Sequence, residues 1–278
     1  MNAPLSLIGI VPGLSNEDYH AGPGVSCSGL HLIAKSPEIF YGRTLDPLRP
    51  PREEKPGQLE GTLAHCAVLE PGEFHQRYAV GPAASKATKE WKAFAEANAD
   101  RVCIKPDQYE TAMRQAESVR RLPQVVEALS HGFPEMSAYW IHPETGELCR
   151  CRPDWVSPAG DGAILLDLKT CSDASPAEFR RQIARKRYHV QDAFYSDGYA
   201  AASGAPVLGF VFVAVETEWP FAACAVMIDE QSQEAGREAY QQDLTTYHKC
   251  KQSGIWPGYS ASIEQVTLPA WAFRRNEE

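Results

Sequence analysis

The sequence lacks a long apolar run; stretches such as Leu208–Val215 are far too short to cross a bilayer. Its first residues, Met1 to Ile10, carry no basic side chain and only a brief apolar stretch, so the basic, apolar and cleavage regions of a secretory signal are missing. A soluble, cytoplasmic protein with no membrane partner is expected. The 8 cysteines are scattered, and the one close pair, Cys149 and Cys151, fits zinc-ligand spacing poorly. Reduced, mostly buried thiols are expected instead. There is no G-x-x-x-x-G-K-[ST] phosphate loop and no H-E-x-x-H zinc motif. Gly258-Tyr259-Ser260-Ala261-Ser262 departs from the G-x-S-x-G nucleophile motif at its last position. Net positive charge is lacking too: the formal charge is −9 and the pI about 5.4. Taken as a whole-molecule sum, that argues against a nucleic-acid partner.

What is present changes that last inference. DNA responds to the local field of the surface it meets, and positive charge is concentrated in Arg180, Arg181, Arg185, Lys186 and Arg187. Acid gathers elsewhere, as in the Asn276-Glu277-Glu278 tail. With 278 residues, 44% hydrophobic and 23% charged, the chain has ordinary globular composition and can bury a core. No internal repeat and no long linker interrupt it, so one domain over 1–278 is expected.

Residues 1–24 are rich in glycine and proline and read as an irregular arm. Ser26 and Ser28 precede a periodic run, Leu30, Ile33 and Ala34, which is an N-cap signal for a helix ending near Ser36-Pro37. A proline-rich loop over 46–57 follows, then a helix over Gly61–Leu69 with His65 in its middle. Further helices are expected over Lys89–Asn98, Pro106–Leu122 and Pro123–Leu129. The pattern then shifts to strands: Met136–His142, a returning Leu148–Arg152 extended by Trp155-Val156, and an apolar Ala163–Thr170 that reads as central. A helix over 176–203, strands over Val207–Glu216 and Phe221–Ile228, and a terminal helix over Gln231–Ser253 complete the order. This predicts an α/β fold, a central mixed β-sheet flanked by helices.

The chemistry is concentrated in Arg152-Pro153-Asp154, followed after 12 residues by Asp167-Leu168-Lys169. Alternate strand residues share a face, so Asp167 and Lys169 point the same way, and Asp154 can approach Asp167 across the hairpin. Two carboxylates and a lysine at one end of a sheet are the kit for phosphodiester hydrolysis. Carboxylates hold Mg²⁺, which activates water, and a lysine orients that water or stabilises developing charge. D-x-K is also a common tripeptide and on its own reads as an ordinary salt bridge. Its position matters: an acid and a lysine interrupt an otherwise apolar strand, where unpaired charge is expensive.

Gln191 and Tyr195 lie four apart, hence on one helix face just after the basic run. The cations, Tyr188, Gln191 and Tyr195 suit a DNA backbone and a terminal base; a solvated basic helix with a half-buried tyrosine reads as well. Ser26 and Ser28 are either simple caps or phosphate contacts at a helix N-terminus. Glu135, just before the first strand, is a candidate outer acid. No spacing rule connects His65 to the site, and a packed histidine is the ordinary reading.

Four runs together resemble the nuclease domain of the RecE (exonuclease VIII) family, RecB-like phage exonucleases of the PD-(D/E)xK superfamily. They are Gly61-Thr62-Leu63-Ala64-His65, Cys149-Arg150-Cys151-Arg152-Pro153-Asp154, Leu166-Asp167-Leu168-Lys169-Thr170 and Tyr188 through Tyr199. Pro12-Gly13-Leu14-Ser15-Asn16, Tyr19 to Gly24 and Trp271 are similar too. The resemblance implies an Mg²⁺-dependent (Mn²⁺ is the alternative) 5′-to-3′ exodeoxyribonuclease on linear duplex DNA. Such an enzyme leaves 3′ single-stranded tails for prophage-type recombination. It also implies a homo-oligomer, a tetrameric ring, working at duplex DNA ends beside a single-strand annealing protein. Carried over, His65, Asp154 and Asp167 are metal ligands assisted by the Leu168 carbonyl, and Lys169 is the catalytic lysine. Gln191 and Tyr195 match the family's Q-x-x-x-Y motif. DNA contacts are expected from the basic run and from Arg152. Some RecB-like nucleases hold an iron–sulfur cluster; Cys224 and Cys250 stand apart here, so none is expected. An endonuclease or repair nuclease of the same fold, or a non-catalytic DNA-binding protein, are the competing readings.

Overall fold

The computed structural model describes residues 7–51, 57–269 and 272. Trp271, the Asn276–Glu278 tail, residues 1–6 of the arm and 52–56 of the proline-rich segment lie outside the described residues.

The arm is more ordered than its glycine and proline content suggests. It carries β1 (Gly9–Val11) and α1 (Asn16–Ala21), and β2 (Val25–Ser26) follows directly. These pieces are too short for periodicity to reveal, and pairing with distant strands stabilises the two strands. Ser26 caps α2 (Cys27–Lys35), its hydroxyl accepting from the Gly29 N–H at 3.2 Å, and α3 (Pro37–Phe40) follows. Next come α4 (Gln58–Leu69), α5 (Phe74–Arg77), β3 (Tyr78–Val80), α6 (Lys89–Ala97) and β4 (Val102–Ile104). Strands β3 and β4 form a small parallel pair that the sequence pattern did not suggest. Helices α7 (Pro106–Val119) and α8 (Pro123–Ser130) each place proline in the first turn, where its missing N–H costs nothing. The remainder runs β5 (Phe133–Pro134), β6 (Ser137–Ile141), β7 (Leu148–Cys151), β8 (Trp155–Ala159), β9 (Gly162–Cys171), α9 (Pro176–Arg185), α10 (Tyr188–Ser203), β10 (Val207–Glu216), β11 (Ala223–Val226) and α11 (Glu230–Ser253).

The three strands expected over 136–170 are divided between two sheets. β6 and β7 join β1 and β2 in the order β1-β6-β7-β2, while β8 and β9 belong to the order β11-β10-β9-β8-β5. Trp155-Val156 therefore opens a new strand rather than extending β7. The break falls at Arg152-Pro153-Asp154, where proline has no N–H for a ladder. β9 is the middle strand of five, as its apolar sequence predicts. Its pairing with β10 is parallel and with β8 antiparallel, which makes the sheet mixed.

Both faces of this sheet are covered. Leu165, Phe210 and Phe212 pack toward Phe179 of α9 and Phe194 of α10. The alternate residues Leu166, Leu168, Val213 and Val215 pack toward Leu63 and Ala67 of α4 and Ala112 and Ala116 of α7. The helix expected over 176–203 is broken at Lys186-Arg187, where Arg187 adopts φ 57° and turns the chain to start α10 beside β9. Gly236 of α11 lets that helix press on the start of α10: a Cβ there would stand 2.1 Å from the His189 carbonyl oxygen. No described helix is long and apolar enough to cross a membrane.

A buried acid joins α10 to α11. Asp192 is 2% exposed and accepts from Gln233 Nε2 at 2.7 Å and Ser196 Oγ at 3.3 Å. Burial, partly offset by those two donors, pushes its carboxyl up from 3.8 to about 6. An acid whose folded pKa exceeds its unfolded value contributes stability below the unfolded pKa and loses it as pH rises through the folded one. Asp192→Asn, which keeps an acceptor for Gln233, should therefore raise stability at pH 7.5, by on the order of 2 kcal/mol, and not at pH 3.5. Thermal unfolding at the two pH values checks this; an equal change at both would refute it.

Candidate active site

β9 is longer than its partner β8. Their pairing begins at Ala159↔Gly162 and ends at Trp155↔Leu166, whereas β10 stays paired to β9 through Glu216↔Cys171. Beyond Leu166, one backbone edge of β9 is thus left by its neighbour, and the candidate groups gather there. The Leu168 N–H donates to Asp154 Oδ2 at 2.7 Å. Its carbonyl accepts from His65 Nε2 at 3.0 Å, and His65 Nδ1 stands 3.5 Å from Asp154 Oδ2. Packing of α4 under the sheet delivers His65 from 103 residues upstream.

On the neighbouring face, Asp167 and Lys169 meet directly in an ion pair, as the two-residue strand period requires. Asp167 is 2% exposed, and its Oδ1 accepts from Gln191 Nε2 at 2.6 Å. The four-residue spacing places Tyr195 one turn further along α10, edge-on to Phe210 with centroids 6.1 Å apart. Burial raises its phenol pKa well above the ordinary value, so the hydroxyl stays protonated.

Glu135, the outer acid expected from sequence, enters the centre. Its backbone sits at φ 51° and its N–H donates to the Asp154 carbonyl at 3.1 Å. Ligand atoms of His65, Glu135 and Asp154 all lie within 4.8 Å of one another. Burial and then the charge of Asp154 push the Glu135 carboxyl up to about 7. Burial and then Asp167 push Asp154 up to about 6, against the pull of His65 and Lys169. Lys169 is destabilised as a cation by burial, yet Asp167 and Asp154 outweigh that and raise its pKa. Burial and crowded negative charge raise both carboxyls, and a divalent cation bound there would offset that charge.

The donor chemistry fits Mg²⁺ or Mn²⁺: oxygen ligands with one imidazole. The Leu168 carbonyl supplies a further oxygen beside His65. His65, Glu135, Asp154 and that carbonyl are the groups placed to hold such an ion. Asp167, a ligand by family resemblance, stands outside the three-residue cluster, engaged by Lys169 and Gln191.

The expected DNA contacts divide. Arg180, Arg181, Arg185 and Lys186 are exposed on and just after α9, with Arg181 paired to Glu178 at 2.7 Å. Arg187 instead turns to Asp243 of α11 at 2.7 Å. Arg152 is a correction: it is buried, bonding Ser137 Oγ at 2.7 Å and the Leu14 carbonyl at 2.9 Å. It lies 3.7 Å from Glu135 and 4.1 Å from the Tyr19 ring centre. It ties the arm to β6 and faces no open surface. Ser26 Oγ caps α2 and lies 3.0 Å from Ser28 Oγ, which sits within the helix. Sequence reasoning missed Cys27 and His31, 3.4 Å apart on α2. Burial and then the cations Arg187 and Lys169 push His31 down to about 4, so a neutral imidazole faces the cationic side of the site. Residues on an ordinary amphipathic helix carried no motif to reveal this.

No curated protein matches the chain. The crystal structure of a candidate exonuclease from Eubacterium rectale superimposes with a TM-score of 0.63 at 12% identity, covering 92% of this chain and 97% of that one. A second crystal structure, SSO0001, gives a TM-score of 0.27 at 13% identity over 49% of this chain and 66% of that one, and carries no argument. The family model described as a PDDEXK-like domain of unknown function (DUF3799) matches residues 26–269. A mixed sheet whose middle strand bears Asp167 and Lys169, together with that match across most of its length, places the chain in the PDDEXK-like family.

Proposed function

We propose that this protein is a metal-dependent exodeoxyribonuclease that digests linear duplex DNA from its ends. The observation that carries the reading is the free edge of β9. Along it, the Leu168 peptide is held by Asp154 and His65 while Lys169 pairs with Asp167 and Gln191 braces Asp167. Family membership and the name of the Eubacterium rectale neighbour support a nuclease. The 5′-to-3′ direction, the 3′ tails, the annealing partner and the tetrameric ring are extended to this chain from its resemblance to RecE-type exonucleases.

Bound Mg²⁺ or Mn²⁺ would lower the pKa of a water and neutralise phosphate charge. His65, Glu135, Asp154 and the Leu168 carbonyl would hold it. Lys169 brings an ammonium to the same edge, where it orients the attacking water and offsets charge developing on the phosphorus oxygens. Asp167 fixes that ammonium, and Gln191 fixes Asp167. The exposed cations of α9 attract the DNA backbone, which lets an overall acidic protein bind DNA.

The test is digestion of a linear duplex and a closed circle of equal sequence, in Mg²⁺ and in EDTA. Loss of the linear form alone, only with metal, is expected. Cutting of the circle would make the protein an endonuclease of the same fold. DNA binding without cleavage in any metal would leave a non-catalytic binding protein.

A further inference from the structure

Tyr188 is the first residue of α10, directly after the left-handed turn at Arg187. Its ring stacks on buried Phe212, centroids 5.6 Å apart at 23°, and tilts against Phe179 at 6.1 Å. Phe212 is the β10 residue in register with Asp167, so the ring lies beside the acid and lysine of the site. The Lys169 ammonium lies 4.8 Å from the Tyr188 ring centre, and the Lys186 ammonium 5.9 Å from the same centre. Read from sequence, Tyr188 is a DNA contact. A ring already engaged by Phe212 and two ammonium groups is poorly placed to stack on a base.

We propose that Tyr188 is a positioning residue for Lys169: its ring holds the lysine ammonium at the reacting edge of β9 by cation–π attraction. An ammonium on a four-carbon stem has many rotamers, and one ion pair fixes its distance from Asp167 more firmly than its direction. A ring 4.8 Å from the ammonium supplies a second fixed point. Phe212 and Phe179 keep that ring from turning away. Such an attraction is strongest where water is excluded, and the Lys169 side chain is only 19% exposed. The inference about position stands on geometry alone; its consequence for catalysis rests on the nuclease reading.

Two measurements separate these parts. Protons of the lysine ε-methylene near an aromatic ring are displaced in the NMR spectrum by its ring current. The Lys169 signal, assigned by its loss in Lys169→Ala, should lie off the ordinary lysine position. Tyr188→Leu should return it there, and Tyr188→Phe, which keeps the ring, should hold it. An ordinary Lys169 signal in the unmodified protein, or one indifferent to Tyr188→Leu, would overturn the proposal whether or not the protein cuts DNA.

Kinetics supply the second arm. On linear duplex, Tyr188→Leu should lower kcat about tenfold with KM little changed, and Tyr188→Phe should rescue the rate. Fluorinated phenylalanines at position 188 keep the ring's shape while weakening its negative face, so kcat should fall in step with fluorine number. A raised KM with unchanged kcat would make Tyr188 a DNA contact after all. A rate indifferent to fluorination would reduce it to packing. If the unmodified protein cuts no DNA, the nuclease reading fails, and the NMR arm still decides the positioning claim.

Discussion

Lys169→Ala should abolish metal-dependent cleavage of linear duplex, by a factor on the order of 10³, while leaving DNA binding within a few-fold of the unmodified protein. The reason for the separation is structural. Lys169 is largely buried against Asp167 and the Tyr188 ring, whereas the cations available to the DNA backbone, Arg180, Arg185 and Lys186, lie exposed on or just after α9. Removing Lys169 takes away the charge at the reacting edge and leaves the binding surface alone. It also leaves Asp167 buried with only Gln191 as partner, so some loss of thermal stability is expected beside the loss of rate. Lys169→Arg keeps the charge but changes its shape, and should restore stability better than rate. Cleavage surviving in Lys169→Ala would remove this lysine from the mechanism. Equal losses of cleavage and of DNA binding would make it a binding residue.

The second large effect concerns the metal. His65→Ala, Glu135→Gln and Asp154→Asn should each weaken Mn²⁺ binding at least tenfold, measured by calorimetry without DNA. Asp167→Asn should weaken it less, because its carboxylate is already committed to Lys169 and Gln191. The contrast between Glu135 and Asp167 is the informative part. Resemblance to RecE-type nucleases assigns Asp167 as a ligand, whereas geometry groups Glu135 with His65 and Asp154. If Glu135→Gln binds Mn²⁺ normally and Asp167→Asn does not, the donor set taken from the family is right and the geometric grouping is wrong. Thermal shift gives a second readout: an ion that binds only the folded chain raises Tm by an amount that grows with the logarithm of its concentration over Kd, and EDTA should reverse the rise.

Several of these residues were legible because their signal is local. Asp167 and Lys169 are two apart in an apolar strand, and the strand period alone sends both to one face. Gln191 and Tyr195 are one helical turn apart, so their common face also follows from spacing. The Ser26 cap and the buried, middle position of β9 follow from neighbouring residues in the same way.

Other features had no local signal. The division of the strands at Arg152-Pro153-Asp154 could not be read from strand propensity, because β7 and β8 look continuous on either side of the proline. That division leaves the Leu168 peptide without a partner on its β8 side and so creates the edge on which the site is built. Arg152 looked like a DNA contact beside an acid; only the folded arm, with Leu14 and Tyr19 around it, shows the guanidinium turned inward. Arg187 likewise belongs to a cationic run in sequence and to Asp243 of α11 in space.

The α/β class, the strand that carries the acid and lysine, and the helix that follows with Gln191 and Tyr195 are all legible in the sequence. Each depends on periodicity within a few residues. The tertiary structure alone decided which distant groups join them: His65 across 103 residues, Glu135 through a left-handed backbone turn, and Tyr188 through the break between α9 and α10. Those meetings depend on how α4 packs beneath the sheet and where β8 leaves β9, which no short stretch of sequence encodes.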